Sequence, residues 1–177
     1  AASAPDKDYF FIIDEINRGN MSKIFGELLM LIEKDYRGTP LTLAYDGRPF
    51  FVPRNLHIIG MMNTADRSLA MIDYALRRRF SFFDMEPGFD SDGFIAYQLD
   101  LNSEKLDRLV AELKSLNNVI IEDKSLGKGF CIGHSYFCTN VTINDEWLKA
   151  VVEFELIPLL KEYWFDEPTK VKNWMNT

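Results

Sequence analysis

The residues best placed for chemistry are two adjacent carboxylates, Asp14 and Glu15, which end the apolar run Tyr9-Phe10-Phe11-Ile12-Ile13. An apolar stretch of strand length fits a strand buried on both faces, and the ends of such strands are where open α/β sheets bind ligands. If the strand continues through the pair, the two side chains point to opposite faces. One carboxylate can then hold the water shell of a Mg²⁺ ion while the other polarises an attacking water, which is the chemistry of phosphoryl transfer to water. The alternative is a strand that ends in two solvated acids and turns.

A second strand-like run, Leu56 to Met62, ends in Asn63-Thr64-Ala65-Asp66-Arg67. An amide at the tip of a neighbouring strand can hydrogen-bond the attacking water or a γ-phosphate, because Asn is both donor and acceptor. Further on, Arg77-Arg78-Arg79 lead into a third strand-like run, Phe80 to Met85. Three successive guanidiniums repel one another unless they meet anions or acidic side chains. A phosphate held by a neighbouring subunit is one such anion; a solvated or salt-bridged helix end is the other reading.

The strings DEINRGNMSKIFGELL from Asp14, IIGMMNTADRSLAMIDYALRRRFSFFDMEPG from Ile58 and LGKGFCIGHSYFC from Leu126 together resemble the nucleotide-hydrolysing AAA+ domain of the McrB family, the motor subunits of McrBC modification-dependent restriction systems. The resemblance runs over nearly the whole chain. It implies an α/β fold: a partial AAA+ P-loop NTPase core, with a parallel sheet and flanking helices, over residues 1–88, then a small α-helical lid over residues 89–177. In the family DEINR is Walker B, NTAD stands in for sensor 1, and the arginine finger lies in the RRRF stretch. Asp14 then supports Mg²⁺ through water, Glu15 is the catalytic base, and Asn63 positions the water and, with Thr64, meets the nucleotide. Arg78 or Arg79 is supplied in trans to the neighbour's γ-phosphate. Asp66 and Arg67 orient these groups from behind, and Arg18 either reaches across the subunit boundary or pairs internally with an acid. His134, or Ser135 or Lys128 beside it, sits where AAA+ lids bring a sensor 2 group over the nucleotide, although the usual sensor 2 arginine is not evident in that string.

A composite site of this kind implies a homo-oligomeric ring. The family implies a hexamer, GTP as substrate with ATP as the alternative, and a McrC-like nuclease partner in a 5-methylcytosine-specific restriction enzyme that translocates and cleaves DNA. The competing readings are an ATP-using, MoxR-like AAA+ chaperone and a non-catalytic ring-assembly module whose arginines complete a neighbour's site. The family's P-loop, G-x-x-x-x-G-K-[ST], lies upstream of Walker B, and no such string occurs in these 177 residues. Gly127-Lys128-Gly129 comes nearest and lacks the upstream glycine and the Ser/Thr. The chain is therefore expected to be the C-terminal part of a longer protein, with Ala1-Ala2-Ser3-Ala4-Pro5 reading as a linker. AAA+ sheets place the P-loop strand between the sensor 1 strand and the one after the arginine finger. Without it, Leu56 to Met62 and Phe80 to Met85 must pair directly, be bridged by another copy, or be completed by a separate polypeptide.

The elements that position these residues follow from periodicity. Asn20 or Ser22 caps a helix with Met21, Ile24, Phe25, Leu28 and Ile32 on one face, ending near Arg37-Gly38. Residues 41–53 form a hairpin turning at Asp46-Gly47. Asp90 to Asn102 is polar and broken, a hinge-like passage. Leu106, Leu109, Val110, Leu113 and Leu116 share a helical face, and another helix starts at Asn144 or Asp145 with Trp147, Leu148, Val151 and Val152 inward, until Pro158 kinks or restarts it. His57, inside its strand, is an ordinary structural residue.

With 47% hydrophobic and 14% aromatic residues the chain can bury a real core. Its net charge of −7 argues against this segment gripping duplex DNA, so DNA recognition is expected in a domain outside it. No stretch reaches the roughly 18 apolar residues of a membrane span, no signal peptide is expected, and Cys131 and Cys138 read as reduced, buried thiols; the expected setting is cytoplasmic.

Overall fold

The computed structural model describes residues 1–44, 47–65 and 74–175; Asp46, Asp66 and Arg67 lie outside them. The chain divides into two compact units, Ala1–Phe83 and Asp84–Thr177.

In the first unit, strand β1 (Tyr9–Ile13) leads to a short helix α1 (Met21–Phe25), a 3₁₀ stretch Gly26–Ile32, the small strands β2 (Leu41–Thr42) and β3 (Pro49–Phe50), strand β4 (Leu56–Gly60) and one helical turn, α2 (Tyr74–Arg77). β1 and β4 run parallel in the register Tyr9↔Leu56 to Ile13↔Gly60. Parallel pairing brings the C-terminal ends of both strands to one edge. Pairing continues past the strands, with Met61 N–H donating to Ile13 C=O and Ile16 N–H to Met61 C=O, both at 2.9 Å. The expected hairpin is present, with Leu41 opposite Phe50.

Three sequence expectations change here. β1 is not buried on both faces: Phe10 and Ile12 on one face and Phe11 on the other are half or more exposed, because β1 has a single neighbouring strand and the sheet is two strands wide. Residues 80–85 carry no strand, so they do not pair directly with β4; a strand with no adjacent ladder has nowhere to place its backbone hydrogen bonds. The helix after the carboxylates starts as expected, with Asn20 Oδ1 accepting from Lys23 N–H at 2.9 Å, but it does not keep one face. Gly26, at φ +49°, ends the α-turns, and the tighter 3₁₀ pitch buries Leu31 and Ile32 while Ile24 points to solvent.

The second unit is helical: α3 (Asp92–Leu101), α4 (Glu104–Glu122), 3₁₀ turns at Lys128–Phe130 and His134–Phe137, α5 (Asp145–Val151), a π-helical turn Val152–Leu156, α6 (Ile157–Tyr163) and α7 (Pro168–Met175). α3 replaces the expected hinge. Ser91 Oγ caps it from Phe94 N–H, and Phe94 turns into the core; Gly93 and the acidic residues around it disguise the helix in the sequence. α4 presents Leu106, Val110, Leu113, Leu116 and Ile120 to a core shared with Phe137, Leu148, Leu156, Leu160 and Trp164. Asn144 caps α5 through Trp147 N–H at 2.8 Å. Pro158 sits in the first turn of α6, where its missing N–H costs little, and the π turn before it takes up the change of register. Cys131 is half-buried, and burial pushes its thiol up. Cys138 is exposed, not buried. Among the described residues no helix is long and apolar enough to cross a membrane.

Two polar residues that periodicity does not reveal tie this unit together. Asn117, buried on α4, donates to Ile132 C=O at 2.9 Å and accepts from Ile132 N–H at 2.7 Å, fastening the glycine-rich loop to the helix. Asp123, just past α4, accepts from Lys170 Nζ and from the indole N–H of Trp164, both at 2.8 Å, as well as from Ser125. The Lys170 bond, then those of Ser125 and Trp164, hold the Asp123 carboxyl well below the usual carboxylate range. A carboxyl depressed in the folded state stabilises it above the unfolded value of about 3.9 and ceases to do so as pH falls through the folded one. Asp123→Asn is expected to lower unfolding stability by about 1–2 kcal/mol at pH 7, with the difference from the parent shrinking as pH drops below about 4. Denaturant titration followed by tryptophan fluorescence reads this unit, which holds all three tryptophans. Equal stability at pH 7 would remove Asp123 from this role.

Candidate functional site

The strand does not carry its pleat through the two acids. β1 stops at Ile13, and Glu15 takes φ +51°, a left-handed conformation that costs a non-glycine residue about 1 kcal/mol or more. Asp14 Oδ1 accepts the Glu15 N–H at 2.9 Å, which satisfies the amide at the bend. The bend lifts both carboxylates out at the sheet edge, where they are exposed. Arg18 folds back on the same turn: its N–H donates to Glu15 C=O at 2.9 Å and its guanidinium pairs with the Glu15 carboxylate. Of the two roles expected for Arg18, the described residues show the internal pair.

Asn63 lies beyond β4 at this same edge. Its Oδ1 accepts from Ala65 N–H at 2.9 Å, a local turn that commits the acceptor and leaves the two Nδ2 hydrogens without a partner among the described residues. Asn63 can therefore donate to an oxygen, whether of water or phosphate. Thr64 beside it is exposed. Sequence reasoning missed Asn17. It is buried, its Nδ2 reaches Asn63 C=O at 3.5 Å, and its buried Oδ1 has no hydrogen-bond partner among the described residues. An amide two residues after Glu15, beside the buried Ile16, was the available signal. Arg37 was missed too: it donates to Ile32 C=O at 3.0 Å and Leu56 C=O at 2.6 Å, joining the 3₁₀ stretch to β4.

A small apolar cluster holds the acids and the arginine stretch to one frame. Ile16, two residues past Asp14, packs with Met21 of α1 and Leu76 of α2. Gly60 makes room for it, since a Cβ there would lie 2.7 Å from Ile16 Cδ1 and 3.3 Å from Cγ2. From Leu76 the chain runs into the three arginines, and Arg79 N–H donates back to Leu76 C=O at 2.9 Å. Arg79 turns inward and pairs with Glu33 at 2.6 Å, whereas Arg78 is exposed and stands 4.0 Å from the same carboxylate oxygen.

His134 belongs to the second unit. Its Nδ1 accepts from Gly88 N–H at 2.9 Å and its ring meets Phe94 edge-on, so only Nε2 remains to offer a proton to a ligand. Lys128 pairs with Glu86 at 3.5 Å. His57 is 3.0 Å from Asp8 and stacks on Phe10, an ordinary structural place.

Among the described residues no group of three or more His, Cys, Asp or Glu can cage a metal ion. A lone hard carboxylate such as Asp14, with one oxygen taken by an amide and the other open, suits Mg²⁺, which keeps most of its waters and completes its shell with substrate phosphates.

Residues 2–80 match the family model of the AAA domain (dynein-related subfamily), and residues 108–172 match that of the McrB alpha-helical lid domain. The chain is 50% identical over 188 aligned positions to the type IV methyl-directed restriction enzyme EcoKMcrB subunit of Escherichia coli K12, an alignment covering 99% of this chain and 41% of that protein. It is 25% identical over 176 positions to the type II restriction enzyme BsuMI component YdiS of Bacillus subtilis 168, covering 88% of this chain and 48% of the relative. The chain spans less than half the length of either relative.

The contact of Gly60 with Ile16 is open to a mutant cycle. Gly60→Ala is expected to destabilise the chain by about 1–2 kcal/mol through overpacking. Adding Ile16→Val removes Cδ1, so the double variant should be more stable than the summed single effects allow. Strict additivity in denaturant titrations would mean that the two side chains do not meet.

Proposed function

Because this chain belongs to the McrB-like AAA+ family, we propose that it carries the Walker B, sensor 1 and arginine-finger part of a nucleoside-triphosphate hydrolysis site, working in the ring of a restriction-system motor. The observation that carries this reading is the convergence, on one edge of a parallel strand pair, of the Asp14-Glu15 bend and an Asn63 whose amide hydrogens have no partner among the described residues.

Each residue has a task that its surroundings allow. Asp14 would hold Mg²⁺ through water, and the ion when bound offsets charge on the β- and γ-phosphate oxygens. Glu15 accepts the proton of the attacking water; its backbone bend and the Arg18 pair hold the carboxylate at the edge rather than along the sheet. Asn63, steadied by Asn17, donates to that water or to the γ-phosphate, with Thr64 alongside. Arg78 or Arg79, from the adjacent subunit, meets the γ-phosphate as charge builds in the transition state. Asp66 and Arg67 support these groups, and His134, whose Nε2 is open, is the nucleotide contact proposed in the helical unit. GTP is the proposed substrate, with ATP the comparison.

The remainder of the proposal is a hexameric ring whose hydrolysis, stimulated by a McrC-like nuclease partner, drives translocation and cleavage of 5-methylcytosine-containing DNA, with DNA recognition by a domain outside this chain and a cytoplasmic setting. Support for it comes from the E. coli relative, a subunit of a methyl-directed restriction enzyme.

In the longer protein that contains this chain, Glu15→Gln is expected to keep nucleotide binding and ring assembly while lowering turnover by about two powers of ten or more, because the amide keeps shape and loses basicity. Steady-state hydrolysis within about threefold of the parent would take Glu15 out of catalysis. Running GTP and ATP side by side decides the base preference. The 177-residue chain by itself, with no P-loop string, should bind either nucleotide no more tightly than about 1 mM; micromolar binding in calorimetry would overturn the view that phosphate contacts lie outside it.

A further inference from the structure

The three consecutive arginines are not equivalent, and we infer that they divide the work: Arg78 is the guanidinium presented to the neighbouring subunit, while Arg79 and Glu33 form a clamp that positions it. This rests on the phosphohydrolase reading above and goes beyond it by separating the two arginines and adding Glu33. Arg77 lies over the Phe82 ring at 5.6 Å, which engages its charge locally. Arg79 is 8% exposed and bonds Glu33 at 2.6 Å. Arg78, between them, is 62% exposed and only at the outer limit of ion-pair range, 4.0 Å from Glu33.

Glu33 is a firm base for such a clamp. Its N–H donates to Met30 C=O at 3.1 Å, the preceding Leu31 and Ile32 are buried, and the Ile32 carbonyl is held by Arg37 at 3.0 Å. On the other side Arg79 N–H is tied to the carbonyl of buried Leu76. The short pair between nearly buried Arg79 and half-buried Glu33, with the Arg79 N–H bond to Leu76 C=O, thus holds the turn that carries Arg78. Its carboxylate also faces Arg78, so the pair neutralises one guanidinium of the triplet and lowers the repulsion the other must overcome to point outward. A guanidinium that must reach a phosphate on another chain has to be exposed and lightly paired; of Arg78 and Arg79, only Arg78 meets both conditions. Arg79 then acts through Arg78 and is a positioning residue, as is Glu33.

The test uses the ring-forming protein that contains this chain and follows kcat and KM separately. A lysine at position 79 can still pair with Glu33, so Arg79→Lys should stay within about fivefold of the parent in kcat, whereas Arg78→Lys should lose about thirtyfold or more with KM for the nucleotide unchanged, since a point charge does not replace a planar fork on phosphate. Glu33→Arg and Arg79→Glu should each lower kcat by about thirtyfold or more, and combining them should recover it to within about tenfold, because the clamp is restored with its charges exchanged. A glutamate at position 79 cannot stabilise a phosphate, so that recovery excludes Arg79 as the phosphate-facing group. Arg79→Lys falling as far as Arg78→Lys, or a combined variant as inactive as its parents while rings still assemble, would overturn the inference. Mixing Arg78→Ala with Glu15→Gln subunits separates this from the underlying reading: recovered activity supports action in trans, so a reversed order of the lysine variants would then sink only the division of labour. No recovery in assembled mixed rings would remove action in trans, and the inference with it.

Discussion

Everything at the candidate site depends on β1 and β4 running parallel in one register. That pairing places the chain after Ile13 and the chain after Gly60 at the same edge, and two further backbone bonds carry the alignment past the strand ends. Ile16 must then cross the β4 terminus closely, and the missing Cβ at Gly60 leaves it the room. With Ile16 seated against Met21 and Leu76, the two residues before it have little freedom: the backbone bends through a positive φ at Glu15, and both acids are turned outward. The strain at Glu15 is local and small, and burial of Ile16 together with the Asp14 and Arg18 contacts over-determines it.

The same apolar cluster joins the acids to the arginine stretch. Leu76 is the last anchored apolar residue before three guanidiniums, so the frame that positions Glu15 also positions the start of that stretch. In a ring of identical subunits this geometry has a consequence. On the proposed reading, the proton acceptor of one site and the guanidinium offered to the next belong to a single packed unit. The helical unit is stabilised on different terms, by a large apolar core and by two hydrogen-bonded polar ties, Asn117 to the loop and Asp123 to the end of α6 and to α7.

What the sequence alone determined is the set of local features whose cause is local. Apolar runs predicted β1 and β4, the caps Asn20 and Asn144 predicted helix starts, heptad-like spacing predicted the buried face of α4, and the wording around Asp14, Asn63 and Arg78 carried the family. Where the physical cause was non-local, the sequence was silent or misleading. Residues 80–85 have strand composition but no adjacent ladder; β1 has the composition of a central strand, yet a sheet only two strands wide leaves it exposed; Gly26 moved the buried face after α1; and α3 hid behind glycine and acids until Phe94 found the core. Only the tertiary structure decided that Asn17 supports Asn63, that the Asn63 donors have no partner among the described residues, that Arg37 joins an element to a strand, and that Arg79 pairs closely with Glu33 while Arg78 stands at the edge of its reach. Those are choices of partner, and partners come from residues distant in the chain, brought together by the packing of Ile16, Met21 and Leu76 rather than by any spacing that a sequence displays.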